Sequence, residues 1–338
     1  MSKNVFITGA AGMVGSHLTD FLLKKEPSWK LFLFVRWQED LKNLEHLFNK
    51  IEKSINLNLV YGDLRDRNSI SQTFKENQID YVFHLGAQSY PQTSFTNEIE
   101  TYDSNIIGTE NLLSCIREYA ISAKVHNCSS SEVFGRVPKE KLPIDEECTF
   151  HPASPYAVSK VGTDLIGRFY AEAYDMSVFT TRMFTHTGPR RGDVFAESSF
   201  AKQIALIESD LIPPVIKVGN LNSQRTWSDV RDAVRAYYLL LTIENIPKGS
   251  YFNIGGNTVK TIEEMLLFLI NLSSKKHKIS IEEDSKRLRP IDADLQIPNT
   301  EKFRALTGWK PQITFEDTMK DLLNYWREQV KNRNFLTR

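Results

Sequence analysis

Asn4-Val5-Phe6-Ile7-Thr8-Gly9-Ala10-Ala11-Gly12-Met13-Val14-Gly15 decides how the rest of the chain is read. A strand-like run enters three glycines spaced G-x-x-G-x-x-G, and residues 14–25 then follow a helical apolar pattern. Gly9 permits the tight turn, Gly12 lets the backbone approach a pyrophosphate, and Gly15 lets the helix pack closely on the strand. The helix start, with Met13 and Val14 in its first turn, offers free N–H groups and the positive end of a dipole to phosphates. Three glycines alone are a weak signal. Framed by strand and helix, they predict a dinucleotide site.

Working outward, further strand-like runs fall at 31–35, 58–61, 81–85, 124–128 and 177–183, separated by amphipathic stretches at 65–77, 105–119 and 156–174. Strands alternating with helix-length crossovers predict a parallel sheet covered on both faces, an α/β doubly wound (Rossmann) fold. After about residue 185 the rhythm breaks into turn-rich segments with shorter helices near 262–272 and 315–329. The expected organisation is a dinucleotide-binding domain over 1–184 and a smaller mixed α/β domain over 185–338, with some chain crossing back to the sheet.

The second strand ends in Val35 and continues Arg36-Trp37, with no acid at its tip. An acid there would bind the ribose hydroxyls of NAD, whereas an Arg pairs with the 2′-phosphate of NADP. NADP is therefore the expected cofactor, with NAD the alternative. Lys plus Arg and Asp plus Glu both number 42 in a chain of 338 residues, so the net charge is zero and neither nucleic acid nor an anionic membrane is an expected partner. Cys115, Cys128 and Cys148 have no metal-ligand spacing, nor do His84, His126, His151 and His186, so no metal is expected. With no signal peptide and no apolar run of about 20 residues, a cytoplasmic location is expected.

Ser154-Pro155-Tyr156-Ala157-Val158-Ser159-Lys160 sets Tyr156 and Lys160 at i and i+4, on one helix face. A nearby ammonium, helped by the nicotinamide's own positive charge, lowers a tyrosine pKa and makes it a usable base. Upstream, the strand at 124–128 opens into Ser129-Ser130-Ser131-Glu132-Val133-Phe134-Gly135, placing a hydroxyl and a carboxylate past a strand's carboxyl end.

On these motifs the chain resembles the extended short-chain dehydrogenase/reductase family over nearly its whole length. Further matches are Gly62-Asp63-Leu64, His84-Leu85-Gly86-Ala87-Gln88 and Asn105-Ile106-Ile107-Gly108-Thr109. Within that family it is most similar to the GDP-mannose 4,6-dehydratase group, through Val35-Arg36, Ser130-Ser131-Glu132, Gly188-Pro189-Arg190-Arg191-Gly192, Arg225-Thr226-Trp227 and Arg289-Pro290-Ile291-Asp292. The resemblance implies a 4,6-dehydratase acting on a GDP-linked sugar, hexose or heptose, of manno configuration. It implies Tyr156 as base, Lys160 as its partner, Glu132 as acid/base, and Ser130 in place of the usual catalytic Thr. Asp63 and Leu64 would contact adenine, Leu85, Gly86, Ala87 and Gln88 would line the nicotinamide side, and Arg190 would reach a neighbouring subunit's cofactor. Gln88, Thr185, Lys202, Val218, Arg225 and Arg289 would join Ser130 and Glu132 in holding substrate. Thr185 stands where the family has Asn. The stretches around Lys202 and Val218 look closer to bacterial GDP-4-keto-6-deoxymannose reductases, so a C4 oxidoreductase on the same GDP-sugar is the alternative. A dimer through the helices near 97–119 and 156–174, or a tetramer if the Arg190 loop crosses over, is also implied.

Overall fold

The computed structural model describes residues 2–288 and 293–333. Its strands are β1 (Asn4–Thr8), β2 (Lys30–Val35), β3 (Leu57–Tyr61), β4 (Tyr81–His84), β5 (Lys124–Cys128), β6 (Val178–Met183), β7 (His186–Thr187), β8 (Val215–Val218), β9 (Gln224–Asp229), β10 (Tyr251–Ile254), β11 (Thr258–Thr261), β12 (Ser280–Glu283) and β13 (Leu295–Gln296). Its helices are α1 (Met13–Lys25), α2 (Phe48–Lys53), α3 (Arg67–Glu76), α4 (Pro91–Ser94), α5 (Glu98–Tyr102), α6 (Gly108–Tyr119), α7 (Pro155–Tyr174), α8 (Ala196–Glu208), α9 (Val230–Thr242), α10 (Ile262–Asn271), α11 (Glu301–Thr307) and α12 (Phe315–Lys331).

Seven strands form one parallel sheet in the order β3-β2-β1-β4-β5-β6-β10. Alternate residues of each strand serve opposite faces. Val5 and Ile7 join Leu31, Leu33 and Tyr237 in one core, while Phe6 joins Phe32, Phe34, Val82 and Leu112 in the other. The strand order reverses at β1, where the Gly9–Gly15 turn leaves the sheet, and such reversals open the crevice where ligands bind. β10 and α9 come from the second half of the chain, so the sheet and its cover draw on both halves. The remaining strands make two small sheets, β11-β9-β13 with β7 on β9, and β12-β8. They pack with α8, α10 and α12 on a separate core around Trp227, Met265 and Trp326.

Two departures from the sequence pattern shape the site. A π-helical turn, Asp103–Ile107, joins α5 to α6, where the sequence reads as regular helix from 105. Its extra residue directs Asn105 inward, a frequent use of π-turns. The loop between β5 and α7 is held by Arg182, which is 1% exposed and pairs with buried Asp164 at 2.8 Å while donating to the Glu146 carbonyl at 2.6 Å. Its guanidinium lies over the Phe150 and Tyr251 rings at 4.6 and 4.5 Å. Removing Asp164 would strand the Arg182 guanidinium in the interior, at about 3–5 kcal/mol, whereas Asp164 is also paired with Arg168 at 3.3 Å.

Candidate active site

Gly9 has φ +65°, and a Cβ there would lie 2.8 Å from the Gly86 Cα, so the first turn and the loop after β4 touch backbone to backbone. A Cβ on Gly15 would meet the Gly9 carbonyl at 2.3 Å. Gly12 precedes α1 and provides no side-chain cap, as at α6 and α8, whereas α3, α7, α9, α10 and α12 are each capped by a side-chain oxygen. The first turn of α1, with Met13 and Val14, therefore has no side-chain cap, which suits a pyrophosphate. Thr8 ties the floor together: its Oγ1 accepts from the Leu85 and Gly86 amides at 3.0 and 2.9 Å and lies 3.0 Å from His84 Nδ1. His84 Nε2 lies 3.0 Å from Thr109 Oγ1 on α6. Leu64 packs within 3.0 Å of the Cβ position of Gly86, and Asp63 is ion-paired with Arg65 at 2.7 Å.

The catalytic candidates converge at the carboxyl ends of β4 and β5. Asn105, 1% exposed, accepts from the Gln88 amide at 2.8 Å, donates to the Gln88 carbonyl at 2.9 Å, and donates to Ser159 Oγ at 2.8 Å. This staples the cofactor-side loop to α7 beside Lys160. Tyr156 donates its amide to buried Ser94 at 3.1 Å. Lys160 donates to the Cys128 carbonyl at 2.8 Å, at the last residue of β5. Ser130 accepts from the Glu132 amide at 3.2 Å and opens the short helix Ser131–Phe134, on which Glu132 is half-buried.

Electrostatics depart from one expectation. Burial pushes the Tyr156 hydroxyl well above its ordinary value, against the opposing pull of a hydrogen bond to Ser130 and of the nearby Arg191 charge. Burial also pushes the Lys160 ammonium down, with Cys128 opposing. The predicted lowering of the tyrosine by Lys160 is therefore not a property of the resting site. Desolvation wins, and Tyr156 needs added positive charge before it can act as a base.

Other predicted contacts fall as follows. The polar atoms of the Gln88 side chain bond Tyr90 and Thr101, so the residue shapes its loop. Arg36 is held by Glu39 at 3.3 Å. Arg190 pairs with Asp20 of its own α1 at 2.8 Å, and His17 lies 3.1 Å from the Pro189 carbonyl. Within the chain, Asp20 supplies the counter-charge to Arg190. Arg191 is 18% exposed, paired with Glu197 at 3.1 Å and stacked 3.4 Å over the Phe195 ring, and its charge opposes the rise of the Tyr156 hydroxyl. The Thr185 carbonyl accepts from Ser228, and Lys202 pairs with Asp193 at 2.6 Å. Arg225 donates to the Gln224 carbonyl on β9. Val218 lines a cleft of about 600 Å³ with Gly219, Asn220, Leu221, Leu288 and Arg136. Arg289 lies outside the described residues. Sequence reasoning missed Ser94, Glu39 and the inward role of Asn105, whose signals are structural. Among the described residues no three His, Cys, Asp or Glu side chains are grouped to hold a metal, and no helix is long and apolar enough to cross a membrane.

A family profile described as GDP-mannose 4,6 dehydratase matches residues 6–322. The chain belongs to that family. Among its relatives, GDP-mannose 4,6 dehydratase 1 of Arabidopsis thaliana is 30% identical across 99% of this chain and 92% of that protein. GDP-6-deoxy-D-mannose reductase of Pseudomonas aeruginosa is 28% identical across 98% of this chain and 99% of that protein. Among solved structures, RMD from Pseudomonas aeruginosa complexed with NADPH superposes with a TM-score of 0.80 at 27% identity, covering 97% of this chain and 99% of the other. The dTDP-glucose 4,6-dehydratase of Bacillus anthracis in complex with NAD shares the fold, with a TM-score of 0.81 at 24% identity over 97% and 98% of the two chains. Family membership thus agrees with the resemblance read from the motifs, and the relatives divide between a dehydratase and a reductase.

The buried histidines give the site a pH signature. Burial lowers His84 and His126 from 6.5 to about 3, and His17 and His186 to about 4. The folded state keeps these rings neutral while the unfolded chain protonates them below 6.5. Their contribution is complete above pH 6.5 and is lost as pH falls toward 4 and then 3. Denaturant titrations from pH 7.5 to 4.5 should show stability falling steeply, and His84→Gln should flatten that slope. A stability that is level across this range would contradict the buried neutral rings.

Proposed function

We propose that this chain is a 4,6-dehydratase acting on a GDP-linked sugar of manno configuration, with NADP as its cofactor and NAD as the alternative. The observation that carries the reading is Glu132, half-buried on the short helix just past β5, its amide held by the Ser130 hydroxyl that also hydrogen-bonds Tyr156. Oxidation at C4 needs Tyr156 and Lys160. Elimination of water across C5 and C6 needs, in addition, a base for the C5 proton, and Glu132 is the carboxylate in place for it.

The uncapped first turn of α1, the Leu85–Gln88 loop, Asp63, Leu64, Arg36 and Lys160 would hold the dinucleotide. When bound, the nicotinamide supplies oxidation at C4, reduction at C6 and, as a cation, the positive charge that Tyr156 needs to lose its proton. Tyr156 takes the proton of the C4 hydroxyl, and Ser130 holds the oxygen that becomes a carbonyl. That carbonyl acidifies C5, so Glu132 can remove the C5 proton and then deliver a proton to the departing C6 hydroxyl. The nucleotide would lie along the cleft at Val218 and Arg225. The reductase relative favours a second reading, in which Glu132 only orients a C4 oxidoreductase substrate.

The exposed face of α7 carries Val158, Leu165 and Phe169, 42%, 46% and 53% exposed, with Ile99 and Ile107 close by in sequence to α6. Such an apolar stripe supports a dimer through these helices. Phe169→Glu should then run as a monomer in light scattering where wild type runs as a dimer; identical masses would contradict the assembly.

Glu132→Gln keeps the shape and removes the base, a loss of about 10²–10⁴ in the elimination step. Incubated with GDP-mannose and NADP, it should accumulate a 4-keto sugar and reduced cofactor without exchanging the C5 proton for solvent deuterium. Wild type that neither exchanges at C5 nor loses water, yet accumulates reduced cofactor, would overturn the dehydratase reading in favour of the oxidoreductase.

A further inference from the structure

The corner where β2 and β3 end carries three cations, and each has an acid against it. Glu39 holds Arg36 at three points: its Oε2 accepts from the Arg36 amide and Nε, both at 3.3 Å, and its Oε1 accepts from Nη2 at 3.5 Å. The Glu39 amide in turn donates to the Arg36 carbonyl at 3.2 Å, closing a turn around the pair. Lys42 lies 3.8 Å from Asp40, and Arg65 lies 2.7 Å from Asp63. These six side chains sum to zero charge. Of the central pair, the Glu39 side chain is 22% exposed and that of Arg36 is 52% exposed, so the acid is the built-in member and the guanidinium is the one left reachable.

A 2′-phosphate brings about −1.5 to −2 charge at neutral pH, as phosphate monoesters do. To engage Arg36 it must either displace Glu39 or sit beside it, and both weaken binding. A ribose that carries only hydroxyls meets the opposite situation, because a carboxylate accepts hydrogen bonds from them. Glu39 lies four residues beyond the end of β2, so it escapes the spacing by which an NAD-type acid is recognised. Beside the pair, Trp37 is 77% exposed and stands edge-on to Tyr61 with ring centroids 5.3 Å apart. The other four tryptophans are 2–6% exposed, which makes Trp37 the one that a collisional quencher reaches.

We propose that Glu39, by holding Arg36, sets the choice of dinucleotide: it keeps the site open to NAD as well as NADP, and without it the site selects NADP. This rests on the dinucleotide reading above, and the test separates the two.

The full-length chain is titrated with 2′,5′-ADP and with 5′-ADP, two nicotinamide-free probes that differ by the 2′-phosphate. Binding is read by calorimetry and by acrylamide quenching of Trp37. Glu39→Gln should tighten 2′,5′-ADP roughly 3- to 10-fold, the scale of a half-exposed ion pair, while 5′-ADP binds equally or more weakly. The gain should vanish when the same change is made on an Arg36→Ala background. An unchanged ratio of the two affinities in Glu39→Gln, or a gain that persists without Arg36, overturns the role of Glu39. Wild type that binds neither probe overturns the dinucleotide reading itself, and this proposal with it.

Discussion

Asn105 holds the Gln88 amide and carbonyl with one side chain while its amide also reaches Ser159, and the geometry of the site depends on that junction. Its own carbonyl accepts from Thr109 at 2.5 Å and from Thr163 at 3.1 Å, so α6 and α7 are tied at the same point. The π-turn exists to make this possible: a regular helix would rotate residue 105 away from the crevice. Each of these buried groups, if left unpaired, costs about 1–3 kcal/mol, so the cofactor-side loop and the catalytic helix cannot shift independently. Thr8 does the same for the floor, joining β1 to the loop after β4.

Rigidity of this kind has an electrostatic consequence. Burial moves the Tyr156 hydroxyl up and the Lys160 ammonium down. The charge of Arg191, stacked on Phe195 and paired with Glu197, opposes the rise of Tyr156.

The sheet was legible because β1 to β4 are largely apolar runs that follow one another at similar intervals, and the glycine turn marks where the strand order reverses. β10 was not legible as part of it, since Tyr251–Ile254 is four residues long and lies among turn residues far along the chain. Tyr156 and Lys160 could be paired from helical spacing alone, and Ser130 and Glu132 from their place after a strand. Residues that act through a third dimension could not: Ser94 caps Tyr156 from 62 residues away. The Gln88 side chain bonds Tyr90 and, on α5, Thr101, and Arg190 finds Asp20 across 170 residues of chain, neither of which any local pattern encodes.

In the proposed reaction, Tyr156 and Glu132 complete an internal oxidation, elimination and reduction on a single sugar. Incubating wild type with GDP-mannose deuterated at C4 and following the label by NMR tests this most directly. The account predicts loss of one water, a product carrying the deuterium at C6, and no net change in cofactor oxidation state. Deuterium recovered in the cofactor pool, with the sugar retaining all its oxygens, would contradict it.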